Sequence, residues 1–160
     1  MVLSLAVVVL VAGLIYLFIP HDASNDPIKR VDYTVELQTA RRAAPYPVAA
    51  PEGLPDSWKP TSVRYRGNDF HAWHLGFAAP DGEYVAIEQS TQEPSRFIAD
   101  ASQKAKKTDV TQRIGERTWR RYAGDHYNAL VHRAEDATTV VTGTASFGQL
   151  TKMAEALRTS

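Results

Sequence analysis

The first 20 residues contain no Asp, Glu, Lys or Arg, and this run constrains the chain more than any other feature. Met1 to Ile19 reads MVLSLAVVVLVAGLIYLFI and is closed by Pro20. At 1.5 Å per residue such a helix would be roughly 28 Å long, about one hydrocarbon core. Tyr16 stands near its C-terminal end, where an interfacial aromatic belongs. A cleavable signal peptide fits less well, because no basic n-region precedes the stretch and no A-x-A site follows it. Residues 1–19 are therefore read as a transmembrane helix anchoring the chain in the lipid bilayer. The nearest cations, Lys29, Arg30, Arg41 and Arg42, all follow the helix. On charge alone, the positive-inside rule would keep the following domain in the cytoplasm.

All 18 basic and 18 acidic residues lie in the remaining 140 positions. Roughly 38% of those positions are apolar, enough for one modest core. Zero net charge argues against a nucleic-acid binder, so no nucleic-acid partner is expected. The absence of cysteine excludes disulfides, thiolate chemistry and sulfur-dependent metal sites.

Residues 20–30 read as a polar juxtamembrane linker, and 31–160 as a single α+β domain. Val31, Tyr33, Val35 and Leu37 alternate with polar residues, which predicts a strand running into a helical turn through Ala44. A helix from Tyr33 to Ala44 is the rival reading. Five prolines between Pro45 and Pro60 exclude regular structure there. Tyr46, Val48, Leu54 and Trp58 nevertheless suggest that residues 45–60 form an arm packed on the domain.

Ser62 to Arg66, the alternating stretch around Trp73, Leu75 and Phe77, and Tyr84 to Ser90 predict three strands, the last two joined by the Pro80-Asp81-Gly82 turn. Pro94 suits the first turn of a helix carrying Phe97, Ile98, Ala101 and Ala105 on one face and ending at Lys104, Lys106 and Lys107. Arg117 to Tyr122, Tyr127 to Val131 and Thr138 to Gly143 predict three further strands. Ser146 with Gln149 forms a capping box before the apolar stripe Phe147, Leu150, Met153, Ala154 and Leu157. The expected fold is a two-layer α+β domain: an antiparallel sheet with two amphipathic helices on one face, open to reading as two β-β-β-α halves.

Several of these segments are similar to a recurrent actinobacterial pattern: YLFIP (16–20), ARRAAPYPVAAPEGLP (40–55), WKPTSVRY (58–65), AWHLGF (72–77), DGEYVAIEQS (81–90) and TTVVTGTAS (138–146). The chain resembles, over nearly its whole length, the family catalogued as domain of unknown function 4245. The resemblance implies a single-pass membrane protein with its domain outside the cytoplasm, and it implies no activity. Family members commonly carry a basic stretch before the helix, whereas Met1 opens directly into apolar sequence.

The motifs of chemistry are sparse. His71 and His74 would face opposite sides of a strand. His126 and His132 would lie roughly 20 Å apart. No metal or cofactor site is therefore expected, and the histidines are read as solvent-facing. Asp81 with Glu83, or Glu135 with Asp136, could pair as acid and base in an envelope hydrolase, but both pairs fall in expected hairpin turns. Ser146 lacks a G-x-S-x-G context and serves as a cap. Trp58, Trp73 and Trp119 are read as core. The densest cationic cluster is Arg113, Arg117, Arg120 and Arg121 around Trp119, a candidate patch for an anionic polymer or an envelope protein partner. The expected function is a membrane-anchored, non-enzymatic binding or assembly module, with the carboxylate hydrolase as the alternative.

Overall fold

The computed structural model describes residues 28–159. The expected transmembrane helix (1–19) and most of the linker (20–30) lie outside the described residues. Among the described residues, no helix is long and apolar enough to cross a membrane.

Helix α1 (Thr34–Ala43) stands where the strand was expected. The alternation is real in the sequence, but Tyr33, Leu37, Ala40 and Ala44 also recur at helical spacing, and these are the residues that meet the core. Val35, which a half-buried strand would cover, is 69% exposed. Local chemistry favours the helix as well: Asp32 accepts hydrogen bonds from the Thr34 hydroxyl and backbone N–H at 2.7 and 2.9 Å. These bonds, the hydroxyl first, hold the Asp32 carboxyl below its ordinary pKa.

The proline-rich arm packs on the domain. Tyr46, Val48 and Trp58 are buried, and Leu54 packs against the same core. The short strand β1 (Ala50–Pro51) within the arm pairs with β9 (Leu157–Arg158).

Seven antiparallel strands form the central sheet. They are β2 (Lys59–Arg66), β3 (Ala72–Ala78), β4 (Tyr84–Ser90), β5 (Lys106–Ile114), β6 (Arg117–Ala123), β7 (Asn128–Arg133) and β8 (Thr138–Gly143), in the order β2-β3-β4-β8-β7-β6-β5. Two meanders therefore meet where β4 pairs with β8. The second meander has one strand more than expected. Strand β5 is almost wholly polar and exposed at the sheet edge, so it carries no apolar alternation to betray it.

Helix α2 (Pro94–Ala101) opens as the sequence suggests, with Pro94 in its first turn. It stops well before the lysines. Gln103 and Lys104 take positive φ values of 51° and 64°, turning the chain so that Lys106 and Lys107 begin β5. Helix α3 (Phe147–Ala156) is capped by Ser146, which accepts from the Gln149 N–H at 3.3 Å. The capping box is only half made, since the Gln149 side chain donates to Asp81 Oδ2 instead.

The layering departs from expectation. One sheet face carries Trp73, Leu75, Phe77, Val85, Ile87, Leu130 and Val141, buried under α3 and the arm, with α1 against β2. The opposite face carries Ala129, Val131 and Val140, buried under Phe97 and Ile98 of α2. Among the described residues three helices thus cover two faces, and the single-faced two-layer arrangement is replaced by a sheet packed on both sides. The near-continuous burial of β8, whose six residues are all buried, is the local signature of this.

Helix α2 depends on a charged cap. Glu93 accepts from the backbone N–H groups of Ser95 and Arg96 at 3.0 and 2.9 Å. Those bonds, with Arg133 nearby, hold its carboxyl below the ordinary value. A lowered folded-state pKa stabilises the fold above the ordinary glutamate value of about 4.3, and that contribution disappears as pH falls through the lower folded value. Glu93→Gln should therefore lower the thermal midpoint at pH 7. The gap between variant and parent should narrow as pH is taken below 4.3; a constant gap would mean that the cap acts without its charge.

Candidate functional site

On the second sheet face, one open region on either side of helix α2 holds polar side chains: Lys107, Arg120 and Arg133 in one, Arg64, His74 and Glu88 in the other. Toward the β5 edge lies a concavity of about 250 Å³ lined by Lys107, Thr111, Thr118, Arg120, Tyr122, Val131 and Arg133. The strand registers explain its membership: Lys107 pairs with Tyr122, Thr111 with Arg120, and Arg120 with Val131, so these residues share one face. Three cations thus surround a floor of one aromatic and one β-branched residue, and no carboxylate lines it. Arg120 also donates to the Thr108 carbonyl at 3.3 Å, which orients it.

The expected arginine cluster does not gather on one surface. Arg117, Trp119 and Arg121 alternate onto the first face, while Arg120 turns to the second. Arg113, paired with Thr118, shares the face of Arg120, and its Nε donates to the Gly115 carbonyl at 3.2 Å. Arg121 donates to Gln112 Oε1 at 2.7 Å, and its guanidinium lies 4.8 Å from the centre of the Phe147 ring. Trp119 is 1% exposed and belongs to the core, as do Trp58 and Trp73. Of the cluster, Arg120 alone lines the concavity. Lys107 and Arg133 join it from neighbouring strands and have no sequence proximity to announce them.

On the other side of α2, the first three sheet strands place Ser62, His74 and Glu88 in one row. His74 pairs with Glu88 across β3–β4 and with Arg64 across β2–β3. His74 Nδ1 lies 2.5 Å from Glu88 Oε1, and Nε2 lies 2.7 Å from Ser62 Oγ. The side chains of His74 and Glu88 are 15% and 22% exposed, so the reading of His74 as simply solvent-facing is corrected. Tyr84 closes the row through a hydrogen bond with Ser62. Burial, above all, raises the Tyr84 phenol above its ordinary pKa. Gly76 makes room for this contact: a Cβ there would lie 2.4 Å from Ser62 Oγ and 2.8 Å from the Tyr84 hydroxyl oxygen.

The remaining candidates are accounted for locally. His71 lies in the β2–β3 turn rather than on a strand, with Nδ1 3.0 Å from the Tyr65 hydroxyl. His132 Nδ1 is 3.1 Å from the Thr118 carbonyl. Among the described residues, no group of three or more His, Asp or Glu could hold a metal ion. Asp81 accepts from Glu83 N–H within its own turn, and Glu135 and Asp136 are exposed turn residues.

Fold and site together define an α+β domain with a seven-stranded antiparallel sheet, helices on both faces and two polar regions flanking α2. The family model described as protein of unknown function (DUF4245) matches residues 1–157, and the chain belongs to that family. No curated protein matches it.

Proposed function

We propose that this protein is a single-pass membrane protein of the cell envelope, its domain held outside the cytoplasm by residues 1–19, and that the domain is a binding or assembly module for an anionic envelope polymer. The observation that carries the reading is the concavity lined by Lys107, Arg120 and Arg133. With zero net charge on the whole chain, attraction of an anion depends on this local grouping rather than on long-range steering. The concavity is open rather than enclosed, which admits a segment of a polymer. Tyr122 adds a surface on which a sugar or alkyl portion can rest.

The test uses the full chain mixed with zwitterionic-lipid vesicles, with polyphosphate as the soluble anionic probe. The chain should float with the vesicles even at 1 M salt, where the Debye length is about 3 Å and electrostatic adhesion is lost. Polyphosphate should float with it only at low salt. Exchanging Lys107, Arg120 and Arg133 together for glutamine should remove that capture, whereas Arg117→Gln with Arg121→Gln should leave it nearly intact. Each exposed contact is worth about 1 kcal/mol or less, so single exchanges should weaken capture by several-fold at most. Capture that survives the triple exchange and follows Arg117 and Arg121 instead would move the binding surface to the other face. Loss of flotation at high salt would refute the anchor.

A further inference from the structure

The row Ser62–His74–Glu88 has the geometry of an activated nucleophile, and it lies on the side of α2 away from the cationic concavity. With Glu88 ionised, its Oε1 at 2.5 Å fixes the proton of a neutral His74 ring on Nδ1. That leaves Nε2 as the acceptor for the Ser62 hydroxyl proton at 2.7 Å. Nucleophile, base and orienting carboxylate are then in hydrogen-bond sequence, the relation by which such a set is recognised irrespective of fold or chain order. Ser62 Oγ stands between the His74 ring and the Tyr84 hydroxyl and hydrogen-bonds with both. Arg64, two residues along β2 on the same face, lies within electrostatic reach of Tyr84. Beside the His74–Glu88 end of the row, with Ser62 and Tyr84 outside its lining, opens a cavity of about 240 Å³ whose walls include Arg64, His74, Glu88, Phe97 and the carboxylates of Asp69 and Asp100. Its volume lies below that of pockets for drug-sized ligands, so only a small substrate fits there.

A purely structural polar row is the competing account, and two features weigh against it. The row is not fully buried: the His74 and Glu88 side chains keep 15% and 22% exposure, so complete exclusion of solvent does not by itself force their pairing. Gly76 is also kept free of a side chain where any Cβ would force Ser62 and Tyr84 apart.

We propose that Ser62 and His74 are catalytic residues for hydrolysis of short-chain carboxylic esters, with Glu88 as the positioning residue. Ser62 Oγ bonds to the ester carbonyl carbon as its proton passes to His74 Nε2, and the carbonyl electron pair moves onto oxygen. The oxyanion is met by the Tyr84 hydroxyl and the Arg64 charge. Collapse breaks the bond to the alkoxy oxygen, which leaves as the alcohol with the proton from His74. Water then attacks the acyl-serine, His74 takes its proton, and the second collapse releases the carboxylic acid and restores Ser62.

The experiment treats the full chain in neutral detergent with a fluorophosphonate, which phosphonylates activated serines, and maps the adduct by peptide mass. The adduct should fall on Ser62, and the same protein should hydrolyse p-nitrophenyl acetate. Ser62→Ala should abolish both. His74→Gln should slow labelling on the order of 100-fold or more, the usual contribution of a positioned base. Glu88→Gln should slow it less and alter the pH profile of labelling, a change that a merely structural carboxylate would not produce. Mapping on the parent protein decides the matter even where a variant fails to fold. A folded parent that shows no adduct on Ser62 refutes the proposal. The Lys107, Arg120 and Arg133 triple exchange should label normally, so this site and the polymer-binding surface stand or fall separately.

Discussion

Gly143→Ala should destabilise the fold by about 3 to 5 kcal/mol, combining backbone strain with a steric clash, each of which alone costs about 1 to 3 kcal/mol. Gly143 ends β8 with φ near +152°, and a Cβ built there would lie 1.9 Å from the Tyr84 carbonyl oxygen and 3.1 Å from Val85 Cα. The obstacle is backbone, so no rotamer change relieves it. Nor can that backbone retreat easily. Tyr84 N–H donates to Thr144 Oγ1 at 2.9 Å, Ala145 N–H donates to the Tyr84 carbonyl at 3.3 Å, and β4 is laddered to β8 from Ala86 onward. Gly82→Ala is the control: φ is +85°, but nothing lies within 4 Å of its Cβ position, so strain acts alone and about 1 kcal/mol is expected. Urea unfolding of the two variants measures the difference through their midpoints. A Gly143→Ala midpoint equal to that of Gly82→Ala would mean that the β4–β8 junction is looser than its geometry implies.

That junction is where the two meanders join, and it shows what the sequence could and could not convey. Alternation around Trp73, Leu75 and Phe77 and the turn at Pro80-Asp81-Gly82 were enough to place the β3–β4 hairpin, because a half-buried strand writes its face into every second residue. The same rule misled at α1. Tyr33 and Leu37 satisfy both a two-residue and a four-residue period, and only the exposure of Val35 separates them. Strand β5 was invisible because an edge strand with neither face well covered has no pattern to display. The second layer was missed for a related reason. Phe97 and Ile98 announce that α2 buries a face, but not which side of the sheet receives it.

The candidate sites are still less local. Arg120 and Arg121 are neighbours in sequence and opposite in space, so density of charge along a strand overstates density on a surface. Arg120 meets Lys107 and Arg133 through two strand registers. Ser62 meets His74 through the β2–β3 register, which shifts between Pro60 and Ser62. A shift of one residue would send Ser62 to the opposite face, and no spacing rule in the sequence fixes it. His74 and Glu88, by contrast, lie across a hairpin whose turn is recognisable. Extending that hairpin inward from its turn would have brought the two together.

The arm of residues 45–60 provides the second large effect. Trp73 is fully buried, and its Nε1 donates to the Ala49 carbonyl at 3.0 Å. Gln89, also buried, accepts from Ala49 N–H at 2.7 Å and donates to the Pro47 carbonyl at 3.3 Å and to Thr139 Oγ1 at 3.0 Å. The arm has almost no regular structure of its own, so these side chains supply the hydrogen bonds that a ladder would otherwise give. Trp73→Ala removes both the ring and the donor, and should cost about 3 to 5 kcal/mol, a large share of the 5 to 15 kcal/mol typical of a domain. Trp73→Phe keeps most of the apolar area but leaves the Ala49 carbonyl without its partner, and should cost about 1 to 3 kcal/mol. If the arm is part of the core rather than a strap laid over it, both variants should unfold in a single transition, with no earlier step for release of the arm. Limited proteolysis tests this directly. Cleavage confined to residues 45–60 while the sheet stays protected would show that the arm detaches by itself, and would reduce Trp73 to an anchor for a separable segment.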